Sequence, residues 1–316
     1  MAGSQSPASV PGEAIGALRA RTGGDLTRFL HRGVAWLSAR RELALGLGIV
    51  ALIVVFAVVG PWVWRQSPLQ VNLSQSLQPP MASHPFGTDE LGRDILARTM
   101  AGAQLDLLVA LAVTLAGGAL GLMVGLVSAM SRGLVDILIM RVLDALLAFP
   151  PLILALAVAV ALGAGTVSAS IGIAVSVIPY YARLMRSEVL RVRSLPYVDA
   201  AVASGSGRFR LIRRHIVPHT WGTMLIQASS AVGYAVLTLA ALGFVGLGVQ
   251  EPTAEWGTMI TSGLQYVLSG QWWIGVFPGL GLLALVTACS LVADGLSVHG
   301  SSGAAPTVLG GGGQEP

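Results

Sequence analysis

The sequence predicts an all-α integral membrane protein with six transmembrane helices, and three observations carry that reading. Only 11% of the 316 residues are charged against 54% hydrophobic, where a soluble globular chain carries about 25% charged residues. Uncharged runs long enough to cross a bilayer recur along the chain, a span needing about 20 apolar residues. The basic residues lie between those runs. A mean hydropathy of +0.74 and a single cysteine, Cys289, exclude disorder and a disulfide scaffold.

The elements follow in order. Leu43 to Trp64 is uncharged and closes on Pro61-Trp62-Val63-Trp64, whose tryptophans suit an interface. Its length and the polar leader of roughly forty residues mark a retained helix rather than a signal peptide. Leu107 to Met130 is the second span. Ala145 to Ala182 is uncharged for 38 residues and is interrupted by Gly163-Ala164-Gly165-Thr166. It reads as two helices joined by a hairpin, the first starting near Ile137. Thr220 to Gln250 is the fifth span. Trp256 to Ala293 divides at Ser269-Gly270-Gln271 into an interfacial or re-entrant segment, Trp256 to Leu268, and a sixth helix from about Trp273.

Six spans put both termini on one side, and the arginines choose it. All nineteen basic residues are arginine. With the termini inside, sixteen fall on inner segments and three (Arg65, Arg93, Arg98) on outer ones, so the termini are expected to be cytoplasmic. The chain then divides into a flexible tail over 1–40, a membrane domain over 41–297 and a glycine-rich flexible tail over 298–316. The membrane domain includes a periplasmic loop over 65–106 and a cytoplasmic loop over 186–219.

The net charge of +4 does not point to nucleic acid, because the arginines sit in segments between apolar stretches instead of forming a basic face. The absence of lysine excludes a P-loop and Schiff-base chemistry. No zinc-protease or serine-nucleophile motif is present, so no catalytic residue and no metal site is expected. His215 and His219 have a zinc-compatible spacing, but Pro218 lies between them and no third ligand is near. Charged residues occur only near the ends of the deduced spans, which argues against an ion-coupled secondary transporter. Gly117, Gly121 and Gly125 form a small-residue ridge suited to close helix packing.

Two connecting segments carry the remaining information. In the cytoplasmic one, Val202, Phe209, Ile212 and Ile216 fall on one potential helical stripe, with Gly205 permitting a turn and Pro218 ending the helix. Periodicity alone favours a basic amphipathic segment lying on anionic lipid. In the outer one, Pro85 and Gly87 make a turn, and Thr88 or Asp89 is expected to cap a short helix with Glu90 in its first turn. Such a helix suits either a membrane surface or a soluble partner. Arg141 with Asp144, and Arg132 with Asp136, are spaced as local ion pairs.

Asp199-Ala200-Ala201, Gly205 and His215-Ile216-x-Pro218 closely resemble the EAA loop of ABC-importer permeases. The segment His84-Pro-Phe-Gly-Thr-Asp-Glu-Leu-Gly-Arg-Asp94 is similar to the HPxGTDxxGRD element of the same family. Met140-Arg-Val-Leu-Asp144 through Phe149-Pro150 and Leu242-Gly-Phe-Val-Gly-Leu-Gly-Val-Gln250, with Trp256-Gly257, extend the likeness over roughly 40–297. The resemblance is to the C-type permeases of the dipeptide/oligopeptide/nickel importers (DppC/OppC-like). Where the family's loop opens on glutamate, this chain has Asp199, a better N-cap with a shorter reach.

The resemblance implies an ABC importer type I permease fold in the bacterial inner membrane, without an active site or cofactor of its own. ATP and Mg would be bound by one or two kinds of partner ATPase. It further implies a second homologous permease (B-type) and an extracytoplasmic substrate-binding protein. Asp199, Ala200, Ala201, Gly205, Phe209, His215, Ile216 and Pro218 would couple to the ATPase. His84, Gly87, Asp89, Glu90, Arg93 and Asp94 would lie at the receptor side. Peptides are the expected cargo, with nickel complexes, haem or another small solute as alternatives.

Overall fold

The computed structural model describes residues 41–131 and 133–301, with backbone alone at 298–301. The expected tails over 1–40 and beyond 301 lie outside the described residues, as does the Arg132 half of the expected pair with Asp136. The described chain is helical: α1 (Arg41–Val63), α2 (Ile95–Met130), α3 (Leu134–Leu147), α4 (Pro151–Leu162), α5 (Thr166–Arg193), α6 (Pro196–Ala203), α7 (Arg208–Leu211), α8 (Val217–Phe244), α9 (Trp256–Val267) and α10 (Trp273–Ser301). A π-helical turn, Ile212–Ile216, joins α7 to α8. Five of these units are long and apolar enough to cross a membrane, and α3 with α4 make a sixth if counted as one broken span.

That break corrects the expected third helix. α3 and α4 meet at 91° because Phe149 precedes Pro150-Pro151, and a proline disfavours the helical conformation in the residue before it. Pro150 itself is extended (ψ 133°), and Pro151 restarts the chain in the first turn of α4. The hairpin at 163–166 is present, with Gly163 (φ +89°) and Gly165 (φ +148°) between α4 and α5.

α2 also differs from expectation. It starts at Ile95, capped by the Asp94 carboxylate on the Ala97 N–H, and runs 36 residues. That is about 54 Å at 1.5 Å per residue, against about 30 Å of hydrocarbon, so the helix extends well outside the membrane. Arg98 and Asp106 therefore belong to a helix and not to a loop.

α2 packs chiefly against α5, and α10 against α8. On α2 the three ridge glycines admit α5. A Cβ at Gly117 would sit 2.9 Å from the Ala174 carbonyl, one at Gly121 2.5 Å from Tyr181 Cβ, and one at Gly125 would overlap the Ala182 carbonyl. The core between these helices includes Ile173, Ile216, Leu239, Leu242 and Leu285, all fully buried. A second, smaller cluster of Ile95, Ala254, Met259, Trp273 and Ile274 closes the end that carries the 65–94 loop. There Phe86 stacks on Phe277 at 4.0 Å.

Candidate functional site

The 65–94 loop has no long helix of its own, and its shape comes from side chains that return to its backbone. Thr88 Oγ1 donates to the Gln75 carbonyl at 2.5 Å and accepts from the Gln78 N–H. The Thr88 carbonyl in turn accepts from Trp273 Nε1. Asp89 does not cap a short helix as expected. Its Oδ1 accepts from the Leu91 and Arg93 N–H groups, and its Oδ2 meets Arg93 Nε at 2.6 Å and Arg98 Nε at 3.5 Å. Arg93 also reaches Glu90 at 3.2 Å and Glu251 at 3.6 Å. Gly92 (φ +70°) leaves no room for a Cβ, which would overlap the Asn72 carbonyl.

Asp94 is the junction of three segments. Its Oδ1 accepts from Ala97 N at 2.7 Å and from Trp64 Nε1 at 3.0 Å, while its Oδ2 meets His84 Nδ1 at 2.8 Å. The end of α1, the loop and the start of α2 are held by one carboxylate. The structure thus brings His84, Gly87, Asp89, Glu90, Arg93 and Asp94 together. It also turns most of them inward: Asp89, Arg93 and Asp94 are each 3% exposed, and Glu90 alone of the six is partly open. Burial pushes the Glu90 carboxyl above the usual carboxylate range, and its backbone hydrogen bond and Arg93 only partly offset that.

Sequence reasoning missed the partners that lie far along the chain. Arg98 donates to the Pro68 and Pro252 carbonyls. Glu255 caps α9, accepting from Gly257 N at 2.6 Å and Thr258 N at 2.8 Å. The Trp256 N–H reaches Asp106 Oδ2 at 3.3 Å, and Trp256 Nε1 donates to the Thr99 carbonyl. Burial raises the Glu255 carboxyl above its ordinary range, against the two N–H groups that lower it. The Glu-x-Gly-Thr order before an amphipathic segment was the available signal for this cap.

The arginine-rich end is built differently. Pro196 occupies the first turn of α6 and Leu195 its N-cap position, so Asp199 sits within the first turn and not at the cap as expected. α6 ends in a Schellman motif: Gly205 (φ +82°) donates to the Val202 carbonyl, and the Ser206 N–H to that of Ala201. Pro218 does not end a helix. α7, the π turn and α8 form one continuous 37-residue helix, Arg208–Phe244, and the wide turn before the proline accommodates a residue that lacks an N–H.

The expected apolar stripe is divided by that geometry: Ile216 is fully buried, whereas Val202 is 53% and Phe209 76% exposed. Asp199 and Ala200 are exposed beside them. The Tyr197 ring lies between His215 and His219, 5.9 and 5.5 Å from them. The expected local pair of Arg141 with Asp144 gives way to bonds between helices. Asp144 pairs with Arg183 and not with Arg141, and Asp136 accepts from Arg186 Nε and Nη2 at 2.8 and 2.7 Å, with Ser128 donating to it as well. Arg193 reaches the Ala129 carbonyl at the end of α2.

Comparison with known proteins adds to this geometry. Residues 119–299 match the family model described as binding-protein-dependent transport system inner membrane component. Residues 40–80 match the N-terminal TM domain of oligopeptide transport permease C. The chain is 39% identical over 271 residues to the probable D,D-dipeptide transport system permease protein DdpC of Escherichia coli K12, covering 85% of this chain and 91% of that protein. It is 39% identical over 277 residues to the dipeptide transport system permease protein DppC of the same strain, with 86% and 91% covered. The corresponding DppC of Alkalihalophilus pseudofirmus is 37% identical, with 81% and 84% covered. A solved inward-facing structure of the MetNI methionine ABC transporter shares the fold, with a TM-score of 0.51 at 20% identity over 61% of this chain and 91% of that one.

Proposed function

The chain belongs to the binding-protein-dependent transport permeases, in their DppC/OppC-like branch, and on that premise we propose how it works as one permease of an ATP-driven peptide importer. A second permease completes the path, separate ATPases dock at the arginine-rich end, and a substrate-binding protein docks at the end bearing the 65–94 loop. The observation that carries the peptide reading is the near full-length identity to dipeptide permeases. The sixteen-to-three distribution of arginines supports placing the termini and the ATPase side in the cytoplasm.

The mechanical requirement is that ATPase closure move the spans. α6 presents Asp199 and Ala200, and α7 presents Phe209, as exposed side chains. α7 continues without a joint into α8, while α6 follows α5 after two residues. Force applied at this end therefore reaches two spans directly. ATP and Mg act in the partner subunits, and this chain contributes the lever.

The test is uptake per ATP in vesicles holding the whole complex. Gly205→Val places a branched side chain at φ +82°, and is expected to lower dipeptide uptake per ATP hydrolysed while the complex still assembles. An unchanged ratio would remove the coupling role. Uptake that persists without ATP and follows a proton or sodium gradient would replace the importer reading with a secondary carrier.

A further inference from the structure

Between α4, α5 and α8 lies a cavity of about 290 Å³, walled by Pro151, Val177, Tyr180, Gln227, Ser230 and Tyr234. A second cavity of about 320 Å³ adjoins it, sharing Tyr180 and Gln227 and continuing past Arg183 to Ser187. Tyr180 stands one turn before Arg183 on α5, and Gln227 two turns beyond Thr220 on the helix Arg208–Phe244. The two cavities therefore meet in the part of both spans nearer the arginine-rich end.

Polar side chains within a span are costly unless they face protein or a water-filled cavity. Here two tyrosines, a glutamine and a serine from two helices line one void. The Tyr234 hydroxyl is buried with no hydrogen-bond partner among the described residues. Among the described residues, no arginine, histidine or carboxylate lines the first cavity. Charge enters only in the second, at Arg183, which Asp144 holds. An apolar wall with a few polar groups is how small-ligand sites are commonly built.

We propose that these two cavities in series are this chain's wall of the solute path, and that Tyr180, Gln227 and Ser230 recognise peptide bonds by uncharged hydrogen bonds. The proposal rests on the peptide-importer reading. The Gln227 amide both donates and accepts, as a peptide group does, and the hydroxyls do the same. Such a wall matches the backbone shared by all short peptides and is indifferent to the charge of their side chains.

The test uses the complete importer in vesicles and compares uptake of alanyl-lysine with that of alanyl-glutamate. Gln227→Glu keeps the side chain's shape and adds a charge to the wall. It is expected to shift the uptake ratio about tenfold toward the lysine peptide relative to wild type, with ATP hydrolysis retained. Wild-type uptake with an unshifted ratio overturns the proposal. Should that complex not assemble, Ser230→Cys in a Cys289→Ala background decides. The introduced thiol is expected to react with a water-soluble reagent, to block uptake, and to be protected by transported dipeptide. No reaction, or reaction without effect on uptake, overturns the proposal. If wild-type vesicles take up no dipeptide, the importer reading fails and takes the wall with it.

Discussion

In the loop between α1 and α2, Asp89, Arg93 and Asp94 are each 3% exposed, and every one is paired or bonded to the loop's own backbone. Between α5 and α8 the pattern is reversed. Phe209 is 76% exposed and Val202 53% exposed, and the turns are made by Pro196 and Gly205 instead of by side-chain bonds. A segment that satisfies its own charges takes its shape without help. One that leaves apolar side chains in the open, on backbone devices that set only its angle, is shaped for a surface brought by something else. Damage to the first should appear as lost stability, and damage to the second as lost coupling in an intact protein.

The most severe way to break this contrast is Arg93→Ala. It leaves Asp89 buried with Arg98 at 3.5 Å as its remaining ion-pair partner. Removing one member of a buried pair costs about 3–5 kcal/mol, so amide exchange over 87–94 in the detergent-purified complex should accelerate about a hundredfold or more. Wild-type protection would mean that the ion network does not hold this loop. Phe209→Ala, at the other end, should leave thermal stability within about 0.5 kcal/mol while lowering the affinity of the ATPase for the permease pair. A stability loss of the Arg93 size there would erase the distinction between the two regions.

A smaller effect concerns pH. Glu90 binds its proton more tightly in the folded loop than in the unfolded chain, because burial disfavours its charge. Its contribution is therefore fully present below the ordinary carboxylate range and is lost as pH rises through the raised folded value. Exchange protection of the loop should decline gently with rising pH in that window, and Glu90→Gln should flatten the decline. Smallest of all is the pair of Arg183 and Asp144, each about half exposed. A double-mutant cycle should return about 0.2–1 kcal/mol, reduced by salt. A larger value would place the α3–α5 contact among the structures that hold the fold.

The spans were legible because the bilayer imposes one length and one composition, and the hairpin at 163–166 because two glycines interrupt a run too long for one helix. The bend at Phe149–Pro150 carried its own signal, a proline pair, which hydropathy averages away. The outer start of α2 was hidden for the opposite reason. Arg98 and Asp106 lower the hydropathy of a helix that continues through them, since their partners Asp89 and the Trp256 N–H come from elsewhere in the chain. Ion pairing across helices was unreadable for the same cause: Asp136 and Arg186 are 50 residues apart. In the outer motif, residue identity was visible, but the inward direction of Asp89 and Asp94 depended on Arg93, His84 and Trp64 meeting them in space.

The π turn at Ile212–Ile216 has a consequence of phase. A wide turn holds about one residue more than an α-helical turn, and each residue of an α-helix advances the side chains by about 100°. A helical wheel drawn as a single period through 208–244 is therefore out of step by about that angle on one side of the turn. Phe209 and Ile216, seven residues apart and nearly eclipsed on such a wheel, end on opposite sides of the boundary between solvent and core. The azimuth of every side chain from Val217 to Phe244, Gln227 among them, is set against the docking surface by that one surplus residue. An insertion or deletion in the five residues Ile212–Ile216 would rotate the span as a body without touching it.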